Sequence, residues 1–247
     1  MHALLQSVRS WLDAGLAFVY PEVCQVCKAA RATPDECFVC VACRATVRRI
    51  EPPFCGRCGL PFQGAITQAF ECGRCREADW AFSHARSAAV FGDKLLEIIH
   101  QYKYRRALWY EPFLAELLLE RAVPELRGEE WDWLVPVPLH PTKQREREFN
   151  QAERLARRLS HATVIPLHTR LLRRVRPTRT QTLLSREERL ENVRRAFAVR
   201  KGIRLNGERI VVVDDVFTTG ATTGACARVL RDAGAGDVCV WTVARGI

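Results

Sequence analysis

Nine of the eleven cysteines fall between Cys24 and Cys75, in a stretch that carries Pro52, Pro53, Gly56, Gly59 and Gly64 and little apolar periodicity. Such a segment has too little hydrophobic material to fold on a core of its own. Eight of these cysteines form four CxxC pairs: CQVC (Cys24, Cys27), CVAC (Cys40, Cys43), CGRC (Cys55, Cys58) and CGRC again (Cys72, Cys75). Two residues between thiolates let a tight turn bring both sulfurs onto one metal, so four pairs make two tetrahedral sets. Proximity along the chain groups Cys24, Cys27, Cys40 and Cys43 around one zinc, and Cys55, Cys58, Cys72 and Cys75 around a second. The loops inside the sets have 12 and 13 residues, somewhat shorter than the roughly 15–20 of the usual ribbon spacing. Cys37 overlaps the first set and reads as a spare thiol. Four thiolates leave no open coordination position, so both zincs are expected to be structural.

Disulfides are the competing use of so many cysteines, and the N-terminus argues against them. Residues 1–20 read as an amphipathic helix with Leu4, Leu5, Val8, Trp11 and Leu12 on one stripe, interrupted by Arg9 and Asp13 and followed by no small-residue cleavage site. Without an export signal the expected compartment is the cytoplasm, where thiols stay reduced. No run approaches the roughly 18 apolar residues of a membrane span. Hydrophobic residues make up 48% of the 247 and charged residues 27%, ordinary values for a globular protein with a real core.

From about Ala81 the texture changes. RSAAVF reads as a strand, and Leu95, Ile98, Ile99 and Tyr102 keep helical spacing. LVPVP at 134–138, TVIPL from Thr163, IVVVDD from Ile210 and VCVWTVA near the end read as further strands. Helices are expected over Asn150–Ser160 and from about Thr222 to Gly234, with Cys226 and Cys239 as core residues. This alternation implies an α/β fold with a largely parallel sheet flanked by helices. The expected division is a helix at 1–20, a double zinc-ribbon module at 21–80 and the α/β domain at 81–247.

The net charge of +10 is regional: residues 143–204 hold eighteen Lys or Arg against six Asp or Glu, a local +12, which leaves −2 for the other residues. A basic segment of this kind gathers anions, either phosphorylated metabolites or a nucleic-acid backbone.

The segment that narrows the chemistry is IVVVDDVFTTGATTG, residues 210–224. A buried strand ends in two carboxylates, and a Thr-Thr-Gly-Ala-Thr turn then opens a helix. Gly220 lets successive N–H groups converge, Thr218, Thr219 and Thr222 add hydroxyls, and the helix N-terminus favours negative charge. The loop lacks the Lys of a Walker A motif and the GxGxxG of a dinucleotide fingerprint. Asp214 and Asp215 would repel a phosphate unless they engage sugar hydroxyls or a magnesium ion on the same ligand. A phosphorylated ribose meets both demands.

This segment resembles the 5-phosphoribosyl 1-pyrophosphate (PRPP) motif of type I phosphoribosyltransferases. The whole chain resembles the ComF family (ComFC-like, GntX-like): a double zinc ribbon followed by a phosphoribosyltransferase domain. The likeness extends to VPVPLHP at 135–141, FNQAE at 149–153, LLRRVR at 171–176, QTLLSREERLENVRRAF at 181–197 and QYKYRRA around Lys103. It implies that Asp214 and Asp215 are the catalytic acidic pair on the ribose hydroxyls, and that Thr218, Thr219, Gly220, Ala221 and Thr222 hold the 5′-phosphate. It also implies that Val137, Pro138 and Leu139 form the loop near pyrophosphate, and that Arg173, Arg174, Gln181 and Ser185 belong to a flexible loop closing over the site. The chain departs at Glu148, where the family more often has Gly.

Two functions from different classes follow. In the first the chain is a magnesium-dependent phosphoribosyltransferase that takes PRPP and an acceptor the sequence does not name, with Lys103, Lys143, Arg145 and Arg147 as anion-facing charges. In the second it senses PRPP without catalysis, or binds single-stranded DNA beside other DNA-uptake proteins, with Tyr104, Trp109 and Phe149 as stacking groups. His140 is the one histidine expected beside the site; the others read as surface or core.

Overall fold

A computed structural model describes residues 22–64, 70–176, 193 and 195–247. Four strands, β1 (Ala85–Val90), β2 (Trp133–Pro136), β5 (Arg209–Phe217) and β6 (Asp237–Arg245), form one parallel sheet in the order β1-β6-β5-β2. The two central strands are the near-continuous apolar runs of the sequence, as burial on both faces requires. β3 (Leu172–Arg174) and β4 (Phe197–Val199) make a separate antiparallel pair. The segment expected as a strand from Thr163 does not become one. The preceding helix runs on to Thr163, Val164 caps it in the left-handed conformation, and a single bridge joins Leu167 to Leu134 of β2.

Alternate residues of the central strands serve opposite layers. Val211, Val213, Cys239, Trp241 and Val243 face a layer built with α4 (Glu111–Arg127) and α6 (Gln151–Thr163), which pack on each other. Ile210, Val212, Val238 and Val240 face the opposite layer, where α7 (Ala221–Asp232) supplies Cys226, Ala227 and Leu230. Cys226 and Cys239 are thus core residues, as the sequence suggests. The short α1 (Val41–Ala45) and α2 (Gly73–Glu77) lie within the two cysteine sets, and α3 (Asp93–Tyr104) and α5 (Pro141–Arg147) flank the C-terminal ends of the strands.

The two cysteine sets straddle the sheet. Cys24, Cys40 and Cys43 belong to the α4/α6 layer, whereas Cys55, Cys58, Cys72 and Cys75 belong to the α7 layer. Between them residues 48–50 run antiparallel to the outer edge of β1: Ile50 N–H donates to Ala88 O (2.9 Å) and Val90 N–H to Arg48 O (2.8 Å). The edge strand is thereby covered rather than left open for association. The expected N-terminal helix at residues 1–20 lies outside the described residues.

Candidate functional site

In each cysteine set the four sulfurs lie within 4.8 Å of one another. Cys27 Sγ stands 3.9 Å from Cys40 Sγ and Cys58 Sγ 3.8 Å from Cys72 Sγ. Those separations suit the edge of a tetrahedron with metal–sulfur bonds of about 2.3 Å. Backbone amides turn toward the sulfurs: Cys40 N–H reaches Cys24 Sγ at 3.4 Å and Cys72 N–H reaches Cys55 Sγ at 3.3 Å. The amides of Ala30 and Ala29 hold Cys27 well below the usual thiol range, at about 6. Burial opposes ionisation of Cys55, but the amides of Cys58, Cys72 and Arg57 bring it down to about 7. The donor set and its second shell fit two closed zinc sites with the expected partition. Cys37 stands outside both, buried, with a raised pKa caused by that burial.

At the C-terminal ends of β2 and β5 opens a cavity of about 490 Å³. Asp214 and Asp215 line it from the end of β5, and Thr218, Thr219, Gly220, Ala221, Thr222 and Thr223 line it from the turn into α7. Gly220 adopts φ +79 and caps the helix, so the helix N-terminus faces the cavity side of the turn. Ala221 N–H donates to Thr219 Oγ1 (3.3 Å), and Thr223 Oγ1 donates to Gly220 O (3.3 Å). The turn is therefore tied internally while its N-terminal dipole remains a place for an anion.

Both carboxylates are buried. Lys103, on α3, sets its Nζ 2.7 Å from Asp215 Oδ2, a close ion pair although that oxygen receives no well-aligned hydrogen bond. Asp215 N–H donates to Asp214 Oδ1 (2.9 Å). Burial, and then the neighbouring Asp215 charge, push Asp214 up to about 8, with Lys103 pulling the other way. An uncharged or cation-paired acid at the end of a buried strand is a site waiting for hydroxyl donors or a hard cation.

Val137 and Leu139 line the cavity, while Pro138 between them is half-buried and does not. Lys103, Lys143 and Arg147 line it too, whereas Arg145 is exposed away from it. Arg174 lines the cavity with its guanidinium over the Phe197 ring at 5.3 Å, but Arg173 is exposed elsewhere on β3. Gln181 and Ser185 lie outside the described residues. His140 stands beside the site as expected; its Nδ1 accepts from Thr142 N–H (3.3 Å) and caps α5.

A family model described as a double zinc ribbon domain matches residues 15–76. The chain is 32% identical over 198 residues to competence protein F of Haemophilus influenzae, an alignment that covers 78% of this chain and 85% of that one. It is also 32% identical over 228 residues to the DNA utilization protein YhgH of Salmonella typhimurium, covering 91% of this chain and 97% of that one. The chain belongs to the ComF/YhgH family. Among solved structures, the glutamine PRPP amidotransferase of B. subtilis matches 53% of this chain and 25% of its own, at 26% identity and a TM-score of 0.34.

His100 and Gln151 are among the cavity residues of this ComF/YhgH-family chain that were not anticipated as such. His100 lines the cavity one helical turn before Tyr104, its ring edge-on to that tyrosine at 5.1 Å; its 3.6-residue spacing within α3 was the available signal. Gln151, 5% exposed, lines the cavity, and its carboxamide oxygen has no hydrogen-bond partner among the described residues. A buried acceptor left open inside a cavity is costly unless a ligand or water meets it.

Proposed function

We propose that the cavity binds magnesium PRPP and that the chain transfers its 5-phosphoribosyl group to an acceptor with release of pyrophosphate, in the setting of DNA uptake or utilization. The observation that carries this reading is the buried Asp214–Asp215 pair at the end of β5, followed at once by the turn in which Gly220 opens α7 into the same cavity. Asp214 and Asp215 engage the ribose hydroxyls, and residues 218–222 hold the 5′-phosphate. Val137, Pro138 and Leu139 border the pyrophosphate, and Arg173 and Arg174 of β3, with Gln181 and Ser185, lie on or beside the closing loop. Carboxylate oxygens and phosphate oxygens are suitable ligands for magnesium, which when bound offsets the charge of the departing pyrophosphate. Lys103, Lys143 and Arg147 add cationic side chains around the same cavity, and an anchored phosphate fixes C1 of the ribose for attack. The boundary near residue 80 separates the ribbon module from this domain.

Calorimetric titration with magnesium PRPP tests the pocket, with an Asp214→Ala/Asp215→Ala double variant as control. Binding heat in the wild type that vanishes in the control supports the reading and justifies an acceptor screen read out as released pyrophosphate. An absence of heat in both rejects it.

A second reading, a non-catalytic PRPP sensor or single-stranded-DNA-binding factor, is favoured by the rim of the cavity. Tyr104 is half exposed, and the Arg147 guanidinium lies over its ring at 4.8 Å. Aromatic faces beside cations suit unstacked bases. DNA retention that weakens with salt and disappears on charge reversal in the 170–204 segment supports this reading.

A further inference from the structure

Arg245, the last residue of β6, is fully buried, and among the described residues no carboxylate meets its guanidinium. A buried cation with no counter-charge is strongly disfavoured, so its actual partners carry information. On one side Nε donates to Cys58 O (3.1 Å) and Nη2 lies 3.5 Å from Cys58 Sγ. On the other side Nη1 donates to Thr218 O (2.8 Å) and Phe217 O (3.3 Å), and the guanidinium lies over the Phe217 ring at 4.6 Å. One side chain therefore ties a member of the second cysteine set to the first residue of the turn that opens α7.

The tie changes what the turn presents. In a trans peptide the carbonyl and N–H point in opposite directions, so a Thr218 carbonyl held by Arg245 turns the Thr219 N–H to the other side. A second contact runs in parallel. Trp80, five residues beyond Cys75, stacks on Phe82 (4.9 Å) and leans on Phe217 (6.4 Å). Its ring fills the space where a Cβ on Gly220 would stand 2.8 Å away and one on Gly224 3.1 Å away. Four thiolates around a divalent zinc carry a net negative charge, and that is the counter-charge Arg245 otherwise lacks.

We infer that Arg245 is a positioning residue that couples the second cysteine set to the phosphate-holding turn, so that zinc at Cys55, Cys58, Cys72 and Cys75 and a phosphorylated ligand at residues 218–222 each strengthen the binding of the other. The inference rests on the PRPP reading above. Such coupling is reciprocal by thermodynamic necessity. It needs no contact between zinc and ligand, only one side chain whose position both depend on.

The test uses the full zinc-loaded chain. It is challenged with a chelator and iodoacetamide, with and without magnesium PRPP, and alkylation of each cysteine is followed by mass spectrometry. The expected result is that PRPP slows alkylation of Cys55, Cys58, Cys72 and Cys75 by about fivefold or more, and slows it less at Cys24, Cys27, Cys40 and Cys43. In Arg245→Gln this protection is lost and PRPP binds about fivefold or more weakly, with the starting zinc content unchanged; Arg245→Lys falls between. Wild-type protein that binds PRPP without protecting the second set overturns the coupling and leaves the pocket standing. Protection that persists in Arg245→Gln overturns the role of Arg245. Wild-type protein that binds no PRPP overturns the pocket reading and the coupling with it. Should Arg245→Gln not fold, the wild-type comparison of the two cysteine sets still decides whether the coupling exists, and Trp80→Phe, which keeps Arg245 and its contacts to Cys58, Phe217 and Thr218, is expected to keep most of the protection.

Discussion

The ammonium of Lys103 stands 2.7 Å from Asp215 Oδ2, and the pair joins the end of α3 to the end of β5 across the mouth of the cavity. It is the only cation paired with either member of the Asp214–Asp215 dyad among the described residues. Burial and the Asp215 charge place Asp214 at about 8, far above its ordinary 3.8. The folded state therefore keeps a proton that the unfolded chain releases, and stability falls as pH rises through the window between those two values. Asp214→Asn is expected to flatten that slope. Lys103→Met removes the cation paired with the dyad and is expected to steepen it, with a melting temperature that drops more than wild type between about pH 6 and about pH 8.5. Thermal melts across that range check the sign, and identical slopes in all three proteins would show that the dyad does not titrate there.

Gly220→Ala is expected to damage both stability and binding. Its φ of +79 disfavours a side chain, and a Cβ would stand 2.6 Å from Phe217 Cζ. A strained left-handed residue costs about 1–3 kcal/mol, and the clash moves the turn that the proposed phosphate binds. The expected outcome is a loss of at least about 1 kcal/mol and PRPP affinity lower by about tenfold or more, the equivalent of 1.4 kcal/mol. Gly73→Ala is the control, since a Cβ there meets nothing within 4 Å. Chemical denaturation and calorimetry on both variants distinguish a local effect of the turn from a general effect of replacing glycine.

Much of this arrangement could be read before the fold was known. The strand IVVVDD, the Gly220 turn and the partition of eight cysteines all follow from local pattern, because each depends on neighbours a few residues away. The pairing of Lys103 with Asp215, and the places of Trp80 and Arg245, were harder for a common reason. Periodicity tells which face of a helix or strand is buried, but not which distant segment meets it. Arg245 ends a strand where a charge ordinarily meets solvent, and Cys58 on one side with Phe217 and Thr218 on the other enclose it. TVIPL failed as a strand for the converse reason: its composition suits a ladder, but the preceding helix runs through Thr163 and leaves only the short stretch 166–168 to bond β2 at Leu134.

The two cysteine classes should separate cleanly. Cys55→Ser removes a ligand from a closed four-sulfur set and is expected to release one of two zincs per chain, because three thiolates hold the ion far less tightly. Cys37→Ser is expected to keep both zincs, since Cys37 lies outside either set, its sulfur 4.0 Å from Asp35 O and beside the Arg44 guanidinium. Its cost is confined to burying a hydroxyl in place of a thiol, about 1–3 kcal/mol if unpartnered. Elemental analysis of both variants gives the answer directly. Loss of zinc from Cys37→Ser would redraw the first set.

Glu148 stands where the family resemblance implies Gly, and the left-handed backbone at this position favours a glycine. Glu148 caps α5 at φ +66, in the left-handed region that an L side chain enters at a cost. Its carboxylate pairs with Arg106 at 2.8 Å, but the two side chains are 61% and 57% exposed, and such a surface pair contributes only about 0–1 kcal/mol. Glu148→Gly relieves left-handed strain of about 1–2 kcal/mol while losing that pair and giving the unfolded chain more freedom, worth about 0.4–1 kcal/mol. The opposing effects are of similar size, so the expected change in stability is within about 0.5 kcal/mol. Arg106→Ala, which removes the pair and keeps the strain, should be the less stable of the two variants. Denaturation midpoints for both settle the order, and an Arg106→Ala protein more stable than Glu148→Gly would show that the strain is smaller than the left-handed geometry implies.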